Sequence, residues 1–428
     1  MLDLKFVREN VELVRAGARK KRIEVDIDAL LRLDEERRKT VSELDGLRTE
    51  LRTASKRIGS LPPEERAQAA SATKELKERV RLLEGRLVEL DREIREIALR
   101  VPNVPAAEVP EGKDESENVE VRRWGEPAQF GFSPRDHIEI ARLLDAVDVD
   151  RAARIAGSRT YFLKGVGVLL ERAVLSLALD HMLAKGFVPF QVPLLVRDVA
   201  MEGTAYYPGG EEQAYRVEKD GLSLVGTAEV PLTSFHLGEI LDEKDLPLRY
   251  VALSPCFRRE AGTYGRDTRG FYRVHQFMKV EQVVVCRADE EESLKHHHEI
   301  IANAEELVRA LELPYRVVNV CGGDLGVPQV QKFDIECWMP SRNNWGETHS
   351  ASRFHDFQAR RLGLRYRDAS GKVRTCHTLN NTVVASPRIL IPLLEIHQQE
   401  DGSVRVPEVL RPYLGGRALL ERVAGEAS

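Results

Sequence analysis

Cysteine is scarce in this chain of 428 residues: Cys256, Cys286, Cys321, Cys337 and Cys376 form an odd set with no CxxC spacing. That argues against a disulfide framework and a tetrathiolate zinc site, so reduced thiols in a cytoplasmic protein are expected, and no zinc. Long apolar runs are missing too. No stretch approaches the roughly 18–20 residues of a membrane span, and the charged start MLDLKFVREN leads into no apolar secretory segment, so no membrane partner is expected. Nor is there an excess of positive charge. With 64 Lys and Arg against 69 Asp and Glu, the net charge of −5 disfavours a generally basic nucleic-acid binder but leaves room for a local basic stripe. The pattern GxxxxGK[ST] is absent, and the lone G-V-G at 165–167 lacks a Rossmann context.

The first hundred residues lack tryptophan, contain one aromatic (Phe6) and confine their prolines to Pro62-Pro63. What they do contain is periodicity. Val41, Leu44, Leu47, Leu51, Ala54 and Ile58 are spaced by threes and fours. After GSLPPEE the pattern resumes as Leu76, Val80, Leu83, Leu87, Leu90, Ile94, Ile97 and Val101. Two heptad runs joined by a Gly-Pro turn predict an antiparallel coiled-coil hairpin over about residues 29–101, roughly 45 Å long at 1.5 Å rise per residue, with a helix near 3–17 at its base. Such an arm is either a spacer or oligomerisation element, or a probe that reaches a distant part of a large partner. Basic residues off the seam (Arg19, Lys20, Lys21, Arg22, Arg48, Arg52, Lys56, Arg57) fit the second reading, although acidic residues are interleaved. We expect residues 1–104 to form this arm, the Pro-rich acidic stretch 105–120 a linker, and 121–428 a body of antiparallel strands backed by helices.

The chemistry concentrates around FRREAGTYGRDTRGFYRVHQFMKVEQ, residues 257–282. Alternation places Arg273, His275, Phe277, Lys279 and Glu281 on one face of the second strand, and Arg258 and Glu260 share a face of the first. Paired, they would offer arginines that fork onto phosphate, an aromatic plane for a base and a carboxylate for an ammonium group. A surface hairpin with cross-strand ion pairs is the plainer alternative. Three further segments support the site. GTAEVP (226–231) puts Thr227 and Glu229 on one face of an extended run, GETHSASRFH places Glu347, His349 and Ser350 together, and TLNNTVVASPR leads through Asn380 and Thr382 to Arg388 at a helix start. HHH at 296–298 reads as a solvated helix face, and Trp124, Trp338 and Trp345 as core or pocket-wall residues.

These segments resemble the three motifs of class II aminoacyl-tRNA synthetases in the form found in seryl-tRNA synthetases. GFVPFQVPLLV is similar to motif 1, the 257–281 segment to motif 2 and LNNTVVASPRIL to motif 3, and the likeness extends over essentially the whole chain. The resemblance implies an α+β fold: an N-terminal antiparallel coiled-coil hairpin, then a six- to seven-stranded antiparallel sheet flanked by helices, with motif 1 at a homodimer interface. It implies that L-serine and ATP form seryl-adenylate and that serine then passes to tRNA(Ser), and also to tRNA(Sec) where the source makes one. By the same resemblance Arg258 and Arg388 are catalytic. ATP is held by Arg258, Arg259, Glu260, Val274, Phe277, Glu347, Thr348, His349, Ser350 and Arg388, and Mg2+ by Glu347 and Ser350. Serine meets Thr227, Ala228, Glu229, Arg258, Lys279, Glu281, Asn380 and Thr382. The motif 2 loop, with Arg266 and Arg269, would meet the tRNA acceptor end, and the N-terminal arm its long variable arm.

Departures are few. Val166 and Val168 stand where the family often has acidic or small residues, Ile396 where asparagine is common, and Thr382 where other members have serine. Motif 3 lacks the glycines many class II enzymes carry. Neither HIGH nor KMSKS is present, which excludes the class I synthetase pattern. A threonyl or prolyl relative would need a C-terminal anticodon-binding domain, for which the stretch after Arg388 is too short. A ligase charging a carrier protein would lack the long arm.

Overall fold

The computed structural model describes residues 1–58, 62–262 and 270–423, which form two compact units. One comprises Met1–Arg19 and Ile23–Pro102; the other comprises Lys20–Arg22 and Asn103–Ser428.

The first unit is the helical arm. Its long helices run over Ile27–Ile58 and Pro63–Ala98, the second opening with proline at its first turn and Glu64 and Glu65 behind it, which suits the positive end of a helix. The heptad seam closes as expected: Leu44, Leu47, Leu90 and Ile94 are buried, while Leu51, Ala54, Leu76 and Val80 farther out are only half-buried. Two helices alone cannot enclose a seam; at the base the short helices Leu4–Glu9 and Val11–Lys20 complete it with Val7 and Val14. Off the seam, Arg37–Asp91 (2.5 Å), Arg48–Glu84 (2.7 Å), Arg79–Glu43 (2.8 Å) and Arg86–Glu36 (2.8 Å) pair the two long helices.

The second unit is built on an eight-stranded sheet: β1 Val119–Trp124, β2 Val188–Phe190, β3 Leu248–Phe257, β4 Gln276–Cys286, β5 Tyr315–Asn319, β6 Gln331–Met339, β7 Asn344–His355 and β8 His377–Ser386. Their order is β1-β5-β6-β7-β8-β4-β3-β2, and every pair is antiparallel except β2 with β3. The sheet is one strand wider than expected.

Its two faces differ sharply, because successive side chains of a strand point to opposite sides. One face carries Val280 and Val284 of β4, Phe333 and Ile335 of β6, and Leu379 and Val384 of β8. They join the main core with Val174 and Ala178 of helix Val166–Ala184 and Ile300 and Leu307 of helix Glu290–Ala310. The other face carries Lys279 and Glu281 of β4, Lys332 and Asp334 of β6, Ser350 of β7, and Asn380 and Thr382 of β8. The acidic stretch after Asn103 packs on the body and is not extended throughout, since it turns at 106–109 and forms a short 3-10 helix at Glu115–Glu117. Ala106 N–H donates to Val330 O, Asn319 Nδ2 donates to Glu108 O, and Val109 is buried against Val320 and Leu325.

HHH at 296–298 departs from the solvated face expected. Its helix is covered on two sides, so His296 and His297 are both buried, and His297 Nε2 lies 3.0 Å from Ala351 O. Burial pushes the His297 pKa down to about 3. Lys21 also departs: instead of lying among exposed basic residues it is buried.

Candidate active site

The polar sheet face is assembled by pairing β3, β4, β8, β7 and β6. Phe277, Lys279 and Glu281 sit opposite Cys256, Ser254 and Ala252 of β3, and Glu281 sits opposite Thr382 of β8. Lys279 Nζ lies 2.5 Å from Glu281 Oε2 and donates to Thr227 Oγ1 at 2.6 Å, while Thr382 Oγ1 donates to Glu281 Oε2 at 3.3 Å. A charge pair with almost no exposure is a poor way to add stability, so a role beyond folding is the better account of it.

Beside this pair Glu229 is buried and accepts from Tyr206 Oη and Gln358 Nε2, both at 2.8 Å. Burial raises its carboxyl above the ordinary range, and the nearby Glu281 raises it further. An arriving cation would relieve that repulsion. Glu229, Arg258, Lys279, Glu281, Ser350, Asn380 and Thr382 line one cavity of about 390 Å³.

A second cavity, about 240 Å³, adjoins it. Arg258, Glu260, Val274, Phe277, Lys279, Glu347, Thr348, His349, Ser350 and Arg388 are among its lining residues. The Arg258 guanidinium stands 5.2 Å from the centre of the Phe277 ring and Nε donates to Gly226 O at 3.2 Å. Arg388 is held by Tyr272 O and Glu347 O, each 3.1 Å away, with its charge 4.4 Å over the Tyr272 ring. Outside both lies a larger hollow of about 1040 Å³, again lined by Arg258, with Arg273, Lys332, Asp334, Glu336, Glu347 and Arg388. Arg258 thus borders all three spaces.

The carboxylates of the outer hollow are brought together by a β-bulge. Asp334 pairs with Ser350 and Glu336 with Glu347, leaving an extra residue, Thr348, on β7 between them. The bulge therefore returns Glu347 and Ser350 to the same face as Asp334 and Glu336. Burial works against the Glu347 charge, but Arg388, Lys332 and Arg258 outweigh it and hold its pKa below the usual carboxylate range. Asp334, 3.0 Å from Lys332, is pushed above the usual carboxylate range, first by burial and then, against the pull of Lys332, by Glu347. Among the described residues no group of three or more His, Cys, Asp and Glu side chains is arranged to hold a metal ion by itself. One carboxylate and one hydroxyl on a common face suit a hard cation that takes its remaining ligands from phosphates and water.

Not every residue predicted from sequence is at a cavity wall. Arg259 is exposed, held by its backbone N–H to Gln213 O, and borders none of the three spaces. Thr227 and Ala228 are buried behind the wall, Thr227 under Lys279 and Ala228 against Leu232, Ala252 and Val283. The GTAEVP run is not extended: it turns at Ala228 into a short helix, Glu229–Thr233, with Glu229 N–H donating to Thr227 Oγ1. Pro387 and Arg388 lie just before helix Leu390–His397 and not in its first turn, which Ile389 caps. Trp345 borders the outer hollow, whereas Trp124 is exposed on Tyr315. Arg266 and Arg269 lie outside the described residues. Sequence reasoning missed Tyr206 and Gln358, which hold Glu229, and Lys332 and Asp334. The alternation Lys332-Asp334-Glu336 within an otherwise apolar strand was the available signal for the last two.

Known proteins share this fold. The family model of the seryl-tRNA synthetase N-terminal domain matches residues 1–105, and that of the tRNA synthetase class II core domain (G, H, P, S and T) matches 215–397. The serine–tRNA ligase of Deinococcus radiodurans is 50% identical over 98% of this chain and 99% of its own. Among solved structures, the seryl-tRNA synthetase from Pyrococcus horikoshii complexed with ATP superposes with a TM-score of 0.93 at 41% identity, covering 99% of this chain and 100% of that one. The cytoplasmic serine–tRNA ligase from Naegleria fowleri in complex with AMP gives 0.89 at 31% identity, covering 99% of each.

Proposed function

This chain belongs to the seryl-tRNA synthetase family and is an ATP-using serine–tRNA ligase, and from that premise we propose how its residues divide the work. The observation that carries the proposal is the position of Arg258 on the border of all three cavities. Serine occupies the 390 Å³ space, its ammonium group against Glu229 and its hydroxyl between Glu281 and Thr382, with Lys279, Asn380 and the buried Thr227 and Ala228 shaping the wall. Adenine lies against Phe277 and the backbone at Val274, with Glu260 at its amino group. The phosphates run outward between Arg258 and Arg388.

A carboxylate oxygen of serine then attacks the α-phosphorus in line. The bond to the bridging oxygen breaks, pyrophosphate leaves with its electron pair, and seryl-adenylate remains. Arg258 forks onto the α-phosphate and neutralises charge in the transfer, and Arg388 holds the γ-phosphate. Glu347 and Ser350 would hold Mg2+, which when bound offsets charge on the phosphates. In the second step the 3′-terminal adenosine of the tRNA attacks the seryl carbonyl and AMP leaves.

The helical arm serves tRNA(Ser), and tRNA(Sec) where one exists. A homodimer built on the motif 1 segment accounts for the exposed Leu169, Leu183, Val188, Leu195 and Val199. None of the described helices is long and apolar enough to cross a membrane, and a cytoplasmic location with reduced thiols completes the reading. Glu347→Gln tests the metal assignment. It should raise the Mg2+ concentration needed for half-maximal ATP–pyrophosphate exchange about tenfold or more, since losing one charged ligand is worth at least 1.4 kcal/mol. An unchanged Mg2+ requirement would remove Glu347 from the metal site.

A further inference from the structure

Two residues from the segments where the chain leaves and re-enters the body close on the same four-residue loop. Lys20–Arg22 and Asn103 onward both belong to the body. Lys21, 2% exposed, donates from Nζ to the carbonyl oxygens of Gly326 (2.9 Å), Val327 (3.0 Å) and Gln329 (2.5 Å). Asn103, 4% exposed, donates its backbone N–H to Val327 O (2.9 Å) and its Nδ2 to Pro328 O (3.0 Å) and Phe354 O (2.8 Å). Every carbonyl from 326 to 329 is therefore satisfied by one of these two side chains or by the Asn103 backbone. The packing leaves little room to slide: a Cβ added at Gly322 would stand 2.5 Å from Lys20 O.

The same four loop residues, with Ser352 and Phe354, line the 390 Å³ cavity together with Glu229, Lys279 and Glu281. Within the loop, Gln329 Nε2 donates to Ser352 Oγ at 2.8 Å, so one strand residue of the cavity is tied to it as well. Buried backbone carbonyls outside regular structure need donors, and an ammonium supplies three from one point. Burying that ammonium is costly, and burial depresses its pKa well below the lysine range. An expensive group fixed on three carbonyls of one cavity-wall loop is better explained by placement than by stability.

We propose that Lys21 and Asn103 are positioning residues for amino-acid binding, setting the backbone of residues 326–329 as the wall against which serine is held. This rests on the assignment of that cavity to serine. Neither residue touches substrate. Both act through the carbonyls they hold, and both sit where the chain passes between arm and body.

Serine-dependent ATP–pyrophosphate exchange by full-length Lys21→Met and Asn103→Leu tests the proposal, with KM for serine and for ATP measured separately and thermal unfolding recorded alongside. Each variant should raise KM for serine about tenfold and leave KM for ATP within about twofold, as expected for losing hydrogen bonds that shape one subsite. A purely structural role would lower the amount of active enzyme and move neither KM; that result in the folded variants overturns the proposal. Should Lys21→Met fail to fold, Asn103→Leu alone decides. Glu281→Gln marks the cavity itself. If it leaves KM for serine unchanged, the cavity assignment fails and the proposal falls with it; if it raises KM while Lys21→Met and Asn103→Leu do not, only the proposal fails.

Discussion

The arm and the body use the same charged residues to opposite ends. In the arm, pairs such as Arg48–Glu84 and Arg79–Glu43 are about half exposed. In the body, Lys279–Glu281 and Lys332–Asp334 are nearly enclosed, and the buried Glu229 carboxylate accepts from Tyr206 and Gln358. Exposed pairs are screened and contribute little; buried ones carry a desolvation cost that their mutual attraction often fails to repay. The contrast extends to composition: all eleven histidines and all five cysteines lie beyond residue 101, so the arm carries none. The arm is a shape made from a seam, whereas the body encloses costly charged groups at the cavities we assign to the reaction.

Acid should separate the two regions most strongly. His297 and His377 are depressed by burial to about 3 and about 4. With folded pKa values below the unfolded value, the unfolded chain binds more protons through this window. The body therefore loses stability as pH falls from about 6.5 toward 4, by up to about 1.4 kcal/mol per pH unit for each such histidine. Hydrogen exchange followed by region at pH 7 and pH 5 should show body amides losing protection and arm seam amides changing less; equal losses would break the contrast.

Next in size is Glu229→Gln, which removes the charge proposed to face the serine ammonium and should lower kcat/KM for serine about 100-fold. The arm's exchange protection should not change. Third, Leu90→Ala opens a cavity at a fully buried seam position and should cost about 2–4 kcal/mol locally, seen as lost protection in Pro63–Ala98. It should depress tRNA charging more than serine activation. Smallest is Arg48→Ala, expected to shift arm stability by less than about 1 kcal/mol. A larger loss would mean that the exposed pairs are structural after all.

How much could be read from the chain follows the same division. The arm was legible because a seam is a local pattern: Leu44, Leu47, Leu90 and Ile94 are buried where the heptads put them. In the body, the 257–282 segment was legible because two neighbouring strands pair across one loop, setting Phe277 opposite Cys256 and Lys279 opposite Ser254. Gln358, 129 residues from Glu229 in sequence, was not legible, since nothing local marks a side chain whose partner comes from a distant element. The bulge at Thr348 was hidden for another reason: one extra residue reverses the face of everything after it without changing composition. Lys21 was misread because it sits in a run of four basic residues, where only tertiary packing distinguishes the buried one.

The most direct test of the account is ATP–pyrophosphate exchange measured with each of the twenty amino acids, by wild type and by Arg258→Ala. The account predicts exchange with serine that falls about 1,000-fold or more in the variant, because the cation bordering all three cavities is lost at the reacting phosphate. Serine-dependent exchange that survives undiminished in folded Arg258→Ala would contradict it.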